Sequence, residues 1–135
     1  MGFSGEGTRL VGSRWTARGM PSVYTSQSVA LAALETLVHM EVKHLPPYVA
    51  IPADIPGELH IEVVDVSSLP RGWKQIPSPT SLQRIGTEGL RSQRSVALQV
   101  PSAIVPDEFN YVLNPIHPDF RRIEIGKPRP FRFDS

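Results

Sequence analysis

Fourteen prolines punctuate this 135-residue chain, at 21, 46, 47, 52, 56, 70, 77, 79, 101, 106, 115, 118, 128 and 130. That is about twice the usual share. Proline lacks a backbone donor, so it is barred from helix interiors and from central strand positions. The longest proline-free interval is 22–45, and one dominant helix is expected there. Elsewhere the chain is restricted to short strands and turns. A chain of this length supports one domain with a real core, because it buries roughly two-thirds of the surface its unfolded form exposes.

Ser22–Thr25 reads as a short strand. Ser26 is placed to cap the helix, expected over about 26–40, by accepting an orphan amide. That helix is apolar nearly all round, with Val29, Leu31, Leu34, Leu37, Val38 and Met40 among alanines, the pattern of a buried helix. Tyr48–Ile55 reads as a proline-punctuated strand. Leu59, Ile61 and Val63 alternate with His60 and Glu62, the period of a half-buried strand. Residues 70–94 read as turn-rich with at most a short helix, since Gly86 and Gly89 each disfavour one. Further strands are expected at Ser95–Val100, Phe109–Leu113, Arg122–Ile125 and Phe131–Phe133. Several strands and one dominant helix make an α+β domain spanning 1–135.

Charge excludes some functions. A net charge of +1 lacks the basic surplus by which nucleic-acid binders displace counterions. No apolar run approaches the ~20 residues of a membrane span, and the first 25 residues carry no uninterrupted apolar segment of the secretory kind, so a cytoplasmic protein is expected. The absence of cysteine removes disulfides, thiol nucleophiles and Cys-type zinc sites. The four histidines, at 39, 44, 60 and 117, show no metal-ligand spacing, and no metal is expected.

Glu35 is the most informative residue. It and His39 are the only ionisable groups between Ser28 and Met40, and its helical neighbours are Leu31, Ala32, Val38 and His39. A lone carboxylate in such company is costly unless it is paired. It is therefore either a structural ion pair, a helix edge reaching solvent, or a carboxylate facing a cleft. Arg14 ends a glycine-rich arm. Gly7–Arg14 superficially follows the P-loop spacing, but Ser13-Arg14 replaces the Lys-Ser/Thr pair, so a nucleotide-hydrolase loop is rejected. An arginine there either grips phosphate bidentately or makes a surface salt bridge. Tyr24 lies at the end of the first strand, and core packing is the ordinary fate of such a tyrosine. Ser102 follows a strand and is placed as a cap, a turn residue or a ligand contact.

Taken in order, these residues resemble the RES-domain family, the toxin half of bacterial RES–Xre toxin–antitoxin systems. The matching segments are Phe3-Ser4-Gly5-Glu6-Gly7, Ser13-Arg14-Trp15 with Gly19, Val23-Tyr24, Ala32-Ala33-Leu34-Glu35, Leu37-Val38-His39, Val100-Pro101-Ser102, Asn110-Tyr111, Asn114-Pro115 and His117-Pro118-Asp119. The ordered set is specific although each piece is short. The resemblance implies an ADP-ribosyltransferase-like fold and consumption of NAD. It implies Arg14, Tyr24 and Glu35 at the NAD pocket, with Ser102 as the family serine. It also implies a hetero-oligomer with an Xre-type helix-turn-helix antitoxin that occludes the pocket and carries the DNA binding. Two departures accompany it: the family's additional first strand is expected to be lacking, and Gly89 stands where the family carries a tryptophan.

The chemistry of such a site is economical. The nicotinamide of NAD is already a cationic pyridinium and leaves neutral, so one carboxylate suffices where ordinary glycoside hydrolysis uses two. Glu35 is expected to bind a ribose hydroxyl and stabilise an oxocarbenium-like transition state. Arg14 is expected to hold the pyrophosphate, Tyr24 to pack on the nicotinamide end, and Ser102 to orient Glu35 or a ribose hydroxyl. The acceptor stays open among water, phosphate and a protein side chain. Two other readings stand beside this one: a protein ADP-ribosyltransferase, and a catalytically dead module that only binds an antitoxin.

Overall fold

The computed structural model describes residues 14–37, 48–75 and 78–132. In chain order its elements are strand β1 (Val23–Ser26), helix α1 (Val29–Leu37), β2 (Tyr48–Ala50), β3 (Ala53–Asp54), β4 (Ile61–Val63), helix α2 (Thr80–Arg91), β5 (Ala97–Pro101), β6 (Phe109–Leu113), β7 (Glu124–Ile125) and β8 (Arg129–Phe131). Short 3-10 turns stand at Val66–Ser68 and Pro118–Arg122. The architecture is α+β with a mixed β core, as expected of an ADP-ribosyltransferase-like fold.

The main sheet runs β1-β6-β5-β4. Only the β4/β5 pair is parallel; β1/β6 and β5/β6 are antiparallel. Two ribbons, β2/β8 and β3/β7, complete the β structure. Because side chains alternate across a strand, the register sorts the sheet into two faces. Tyr24, Val112 and Leu98 stand in one row, and Ser26, Asn110 and Val100 in the next row of the same face. Leu98, Val100 and Val112 join Trp15, Met20, Leu82 and Leu90 in one buried cluster under α2, with Tyr24 packed against it. The opposite face buries Val23, Ala97 and Leu113 together with Leu59, Val96 and Ile123 from outside these strands.

The helices depart from expectation. α2 runs twelve residues and is the longest helix among the described residues, in the stretch read as turn-rich. It lies in a proline-free interval, 80–100, and buries one face through Leu82, Gly86, Thr87, Gly89 and Leu90. The two glycines that weaken it locally are what let it dock. A Cβ on Gly86 would lie 1.8 Å from the Trp15 carbonyl oxygen, and one on Gly89 would lie 3.0 Å from the Leu98 side chain. There is no room for an indole at 89 unless Leu98 moves.

α1 is described from Val29 to Leu37; the expected continuation through Met40 lies outside the described residues. It is not a buried helix. Leu31 alone is buried, while Val29 and Leu34 remain nearly half exposed. The alanine-rich composition that suggested burial supplies helix propensity, and only one side of the helix meets the sheet at β1. Its cap is Ser28, whose Oγ accepts from the Leu31 amide at 3.1 Å. Ser26, the expected cap, is instead the last residue of β1 and turns its hydroxyl to β6.

Candidate active site

Helix geometry places Glu35 one turn beyond the buried Leu31, on the same face of α1, so it reaches the end of the sheet where β1 and β5 finish and β6 begins. There its Oε2 accepts two hydrogen bonds, from Ser102 Oγ at 2.7 Å and from Asn110 Nδ2 at 2.8 Å. Ser102 is buried just past β5. Its Oγ also accepts from the backbone amides of Ile104 and Val105, at 3.0 and 3.1 Å. A hydroxyl has one proton and two lone pairs. With both lone pairs taken by amides, the proton is directed at Glu35. The hydroxyl is saturated in that arrangement.

Arg14 is half-buried, and its Nη1 donates to the carbonyl of Trp73 at 2.8 Å and more weakly to that of Gln75 at 3.3 Å. Burial lowers the guanidinium from its usual value, while Glu35 and then Tyr24 act in the opposite direction. An arginine stays charged under such a shift. The remaining guanidinium nitrogens make no hydrogen bond among the described residues, and Arg14 and Glu35 close no salt bridge with each other. Tyr24 Oη accepts from the Trp15 amide at 3.1 Å and lies 3.3 Å from Thr16 Oγ1. Its ring packs on the core and its side chain borders the cavity.

Arg14, Trp15, Tyr24, Glu35 and Asn110 together line a cavity of about 330 Å³, within the usual range of small-molecule clefts. A larger depression of about 730 Å³ lies against the other side of β1 and α1. Arg129 is its one charged lining residue among the described ones. The smaller cavity is where the chemistry gathers. It can hold an anion at Arg14, an aromatic ring beside Tyr24, and a hydroxyl at Glu35.

Three of the four candidate residues, Arg14, Tyr24 and Glu35, border this cavity directly, and Ser102 stands behind Glu35. Sequence reasoning gave no site role to Asn110 or to the Trp73 and Gln75 carbonyls, and it assigned Ser26 to the helix cap. The available signal was a polar residue inside the strand Phe109–Leu113. The carbonyls left no signal at all, since any residue supplies one. Among the described residues no group of His, Asp and Glu is arranged to hold a metal, and no helix is long and apolar enough to cross a membrane.

A model of the RES domain family matches residues 1–134. The chain belongs to the RES domain family. It is 41% identical over 135 residues to a protein of Photorhabdus laumondii named Toxin Res, covering 98% of this chain and 86% of that protein. A Sphingobium protein named Prs ADP-ribosylating toxin is 38% identical over 135 residues, covering 98% of this chain and 84% of its own length. A Toxin Res of Yersinia enterocolitica is 36% identical over 134 residues, covering 98% and 88%. The family resemblance drawn from the sequence is thereby borne out over nearly the whole chain.

Proposed function

We propose that this RES-domain protein is the toxin of a bacterial toxin–antitoxin pair and consumes NAD by cleaving its nicotinamide–ribose bond. The observation that carries the reading is the carboxylate of Glu35, held through one oxygen by two donors at the wall of a cavity that Arg14 shares. NAD brings a leaving group that departs neutral, so no second carboxylate is needed to protonate it. Glu35 binds a ribose hydroxyl and offsets the positive charge that develops on the ribose in the transition state. Arg14 uses Nη1 on the two backbone carbonyls and keeps the other donors of its planar fork for the diphosphate. Tyr24 packs on the nicotinamide end. Ser102, with its proton committed to Glu35, orients the carboxylate rather than the ribose.

Arg14→Ala is expected to weaken NAD binding by about tenfold or more, the loss expected when a charged hydrogen-bond partner is removed. Titration calorimetry measures this, and unchanged affinity removes Arg14 from the phosphate end.

The acceptor is water or phosphate in this reading. A protein acceptor is favoured by the relative named for ADP-ribosylating Prs, at 38% identity. Mass spectrometry of products separates the three. Free ADP-ribose identifies water, a phosphorylated ADP-ribose identifies phosphate, and a mass gain on a protein identifies transfer. The partner in this reading is an Xre-type helix-turn-helix antitoxin that covers the cavity in a cytoplasmic hetero-oligomer. Adding that partner is expected to suppress turnover.

A further inference from the structure

We propose that Asn110, held in place by Ser26, is a positioning residue that fixes which oxygen of Glu35 is presented to the substrate. The inference rests on the NAD-consuming reading above and adds two residues to it. Ser26 and Asn110 stand directly opposite each other on β1 and β6. Ser26 Oγ donates to Asn110 Oδ1 at 2.6 Å, and Asn110 Nδ2 donates to Glu35 Oε2 at 2.8 Å. An ionised carboxylate only accepts. The amide must therefore turn its nitrogen to Glu35, which leaves its oxygen for the hydroxyl of Ser26. The polarity of the whole row is fixed, from strand edge to helix.

Together with the Ser102 bond, the amide saturates Oε2, and Oε1 makes no hydrogen bond among the described residues. The carboxylate is thus pinned through one oxygen and open at the other, on the wall of the cavity that Asn110 also lines. The terminal torsion of an asparagine is broad, so nothing intrinsic to Asn110 keeps the amide in this orientation. The Ser26 bond does.

The test is steady-state NAD turnover, read as released nicotinamide, for wild type, Asn110→Ala, Ser26→Ala, Ser26→Thr and the Asn110→Ala/Ser26→Ala pair, each with its thermal midpoint. Asn110→Ala is expected to lower kcat about tenfold or more while KM for NAD stays within about twofold, as for the loss of a bond to a charged group that acts on the chemical step. Ser26→Ala is expected to lower kcat roughly threefold to tenfold. Ser26→Thr keeps the hydroxyl in a residue suited to strands and restores kcat. Added to Asn110→Ala, Ser26→Ala lowers kcat no further, because it acts through the amide.

A folded Asn110→Ala protein with wild-type kcat overturns the proposal. So does a Ser26→Ala loss that adds in full to that of Asn110→Ala. If Asn110→Ala does not fold, the Ser26 variants decide: equal kcat in Ser26→Ala and Ser26→Thr overturns it, and recovery in Ser26→Thr supports it. Failure of the underlying reading looks different. Wild type itself then releases no nicotinamide, and the relay falls with it.

Discussion

Glu35→Gln is expected to lose NAD turnover by on the order of 10³-fold while remaining folded, the scale seen when a preorganised electrostatic contact to a transition state is removed. The amide oxygen of glutamine accepts from Ser102 Oγ and Asn110 Nδ2 as Glu35 Oε2 does. The substitution therefore deletes a charge and leaves the hydrogen bonds. Glu35→Ala is expected to abolish turnover too, with the fold intact, but it strands two donors. Ser102 is buried, and an unpaired buried donor costs about 1–3 kcal/mol. The amide variant is thus the cleaner test of charge and the alanine variant the more complete deletion. A thermal midpoint for Glu35→Gln near wild type, together with lost turnover, assigns the loss to chemistry. Retained turnover in Glu35→Gln removes the carboxylate charge from the mechanism.

Gly86→Ala is expected to be the most destabilising single-methyl change described for α2. Alanine is the better helix former by about 1 kcal/mol, so an exposed glycine at that position would gain from the exchange. At Gly86 the added carbon would meet the Trp15 carbonyl oxygen at 1.8 Å, and its carbonyl carbon at 2.8 Å. Both are backbone atoms and cannot swing aside as a side-chain tip does. Overpacking of this kind costs about 3 kcal/mol and lowers the thermal midpoint by roughly 10 °C in a domain of this size. Trp15 adjoins Arg14, so the same displacement is expected to weaken NAD binding. Gly57→Ala is the control: a Cβ there meets nothing within 4 Å, and its midpoint should hold within a few degrees. Equal midpoints for the two variants contradict the close approach of α2 to the arm that carries Arg14.

The strands were legible because their signals are local. Alternation at Leu59–Val63 and the proline-bounded runs near 97–101 and 109–113 place β4, β5 and β6 within a residue or two. The helix at 29–37 was legible in position but not in its exposure, and α2 was not legible as a long helix, because tertiary contact overrides local propensity. Glycines at 86 and 89 argue against a helix until the Trp15 backbone and the Leu98 side chain are seen against them. The alanine-rich run at 29–37 suggested burial, although one residue in it is buried.

For the site, a lone carboxylate in an apolar stretch singled out Glu35, and the structure supplies the partners such a group requires. They are Ser102 and Asn110, 67 and 75 residues away in sequence. A separation of that size is beyond any local pattern. Assigning Ser26 to the helix cap concealed its link to Asn110, because a serine two residues before the cap and the capping serine itself, Ser28, look alike in sequence.

Cleavage of NAD in the cavity between Arg14 and Glu35 is the proposed reaction. It is tested most directly by mass spectrometry of NAD incubated with the purified protein free of any antitoxin, beside Glu35→Gln. Nicotinamide released by wild type and not by Glu35→Gln is the predicted result. Intact NAD in the presence of folded wild-type protein would contradict it and would point to a RES domain that binds a partner without catalysis.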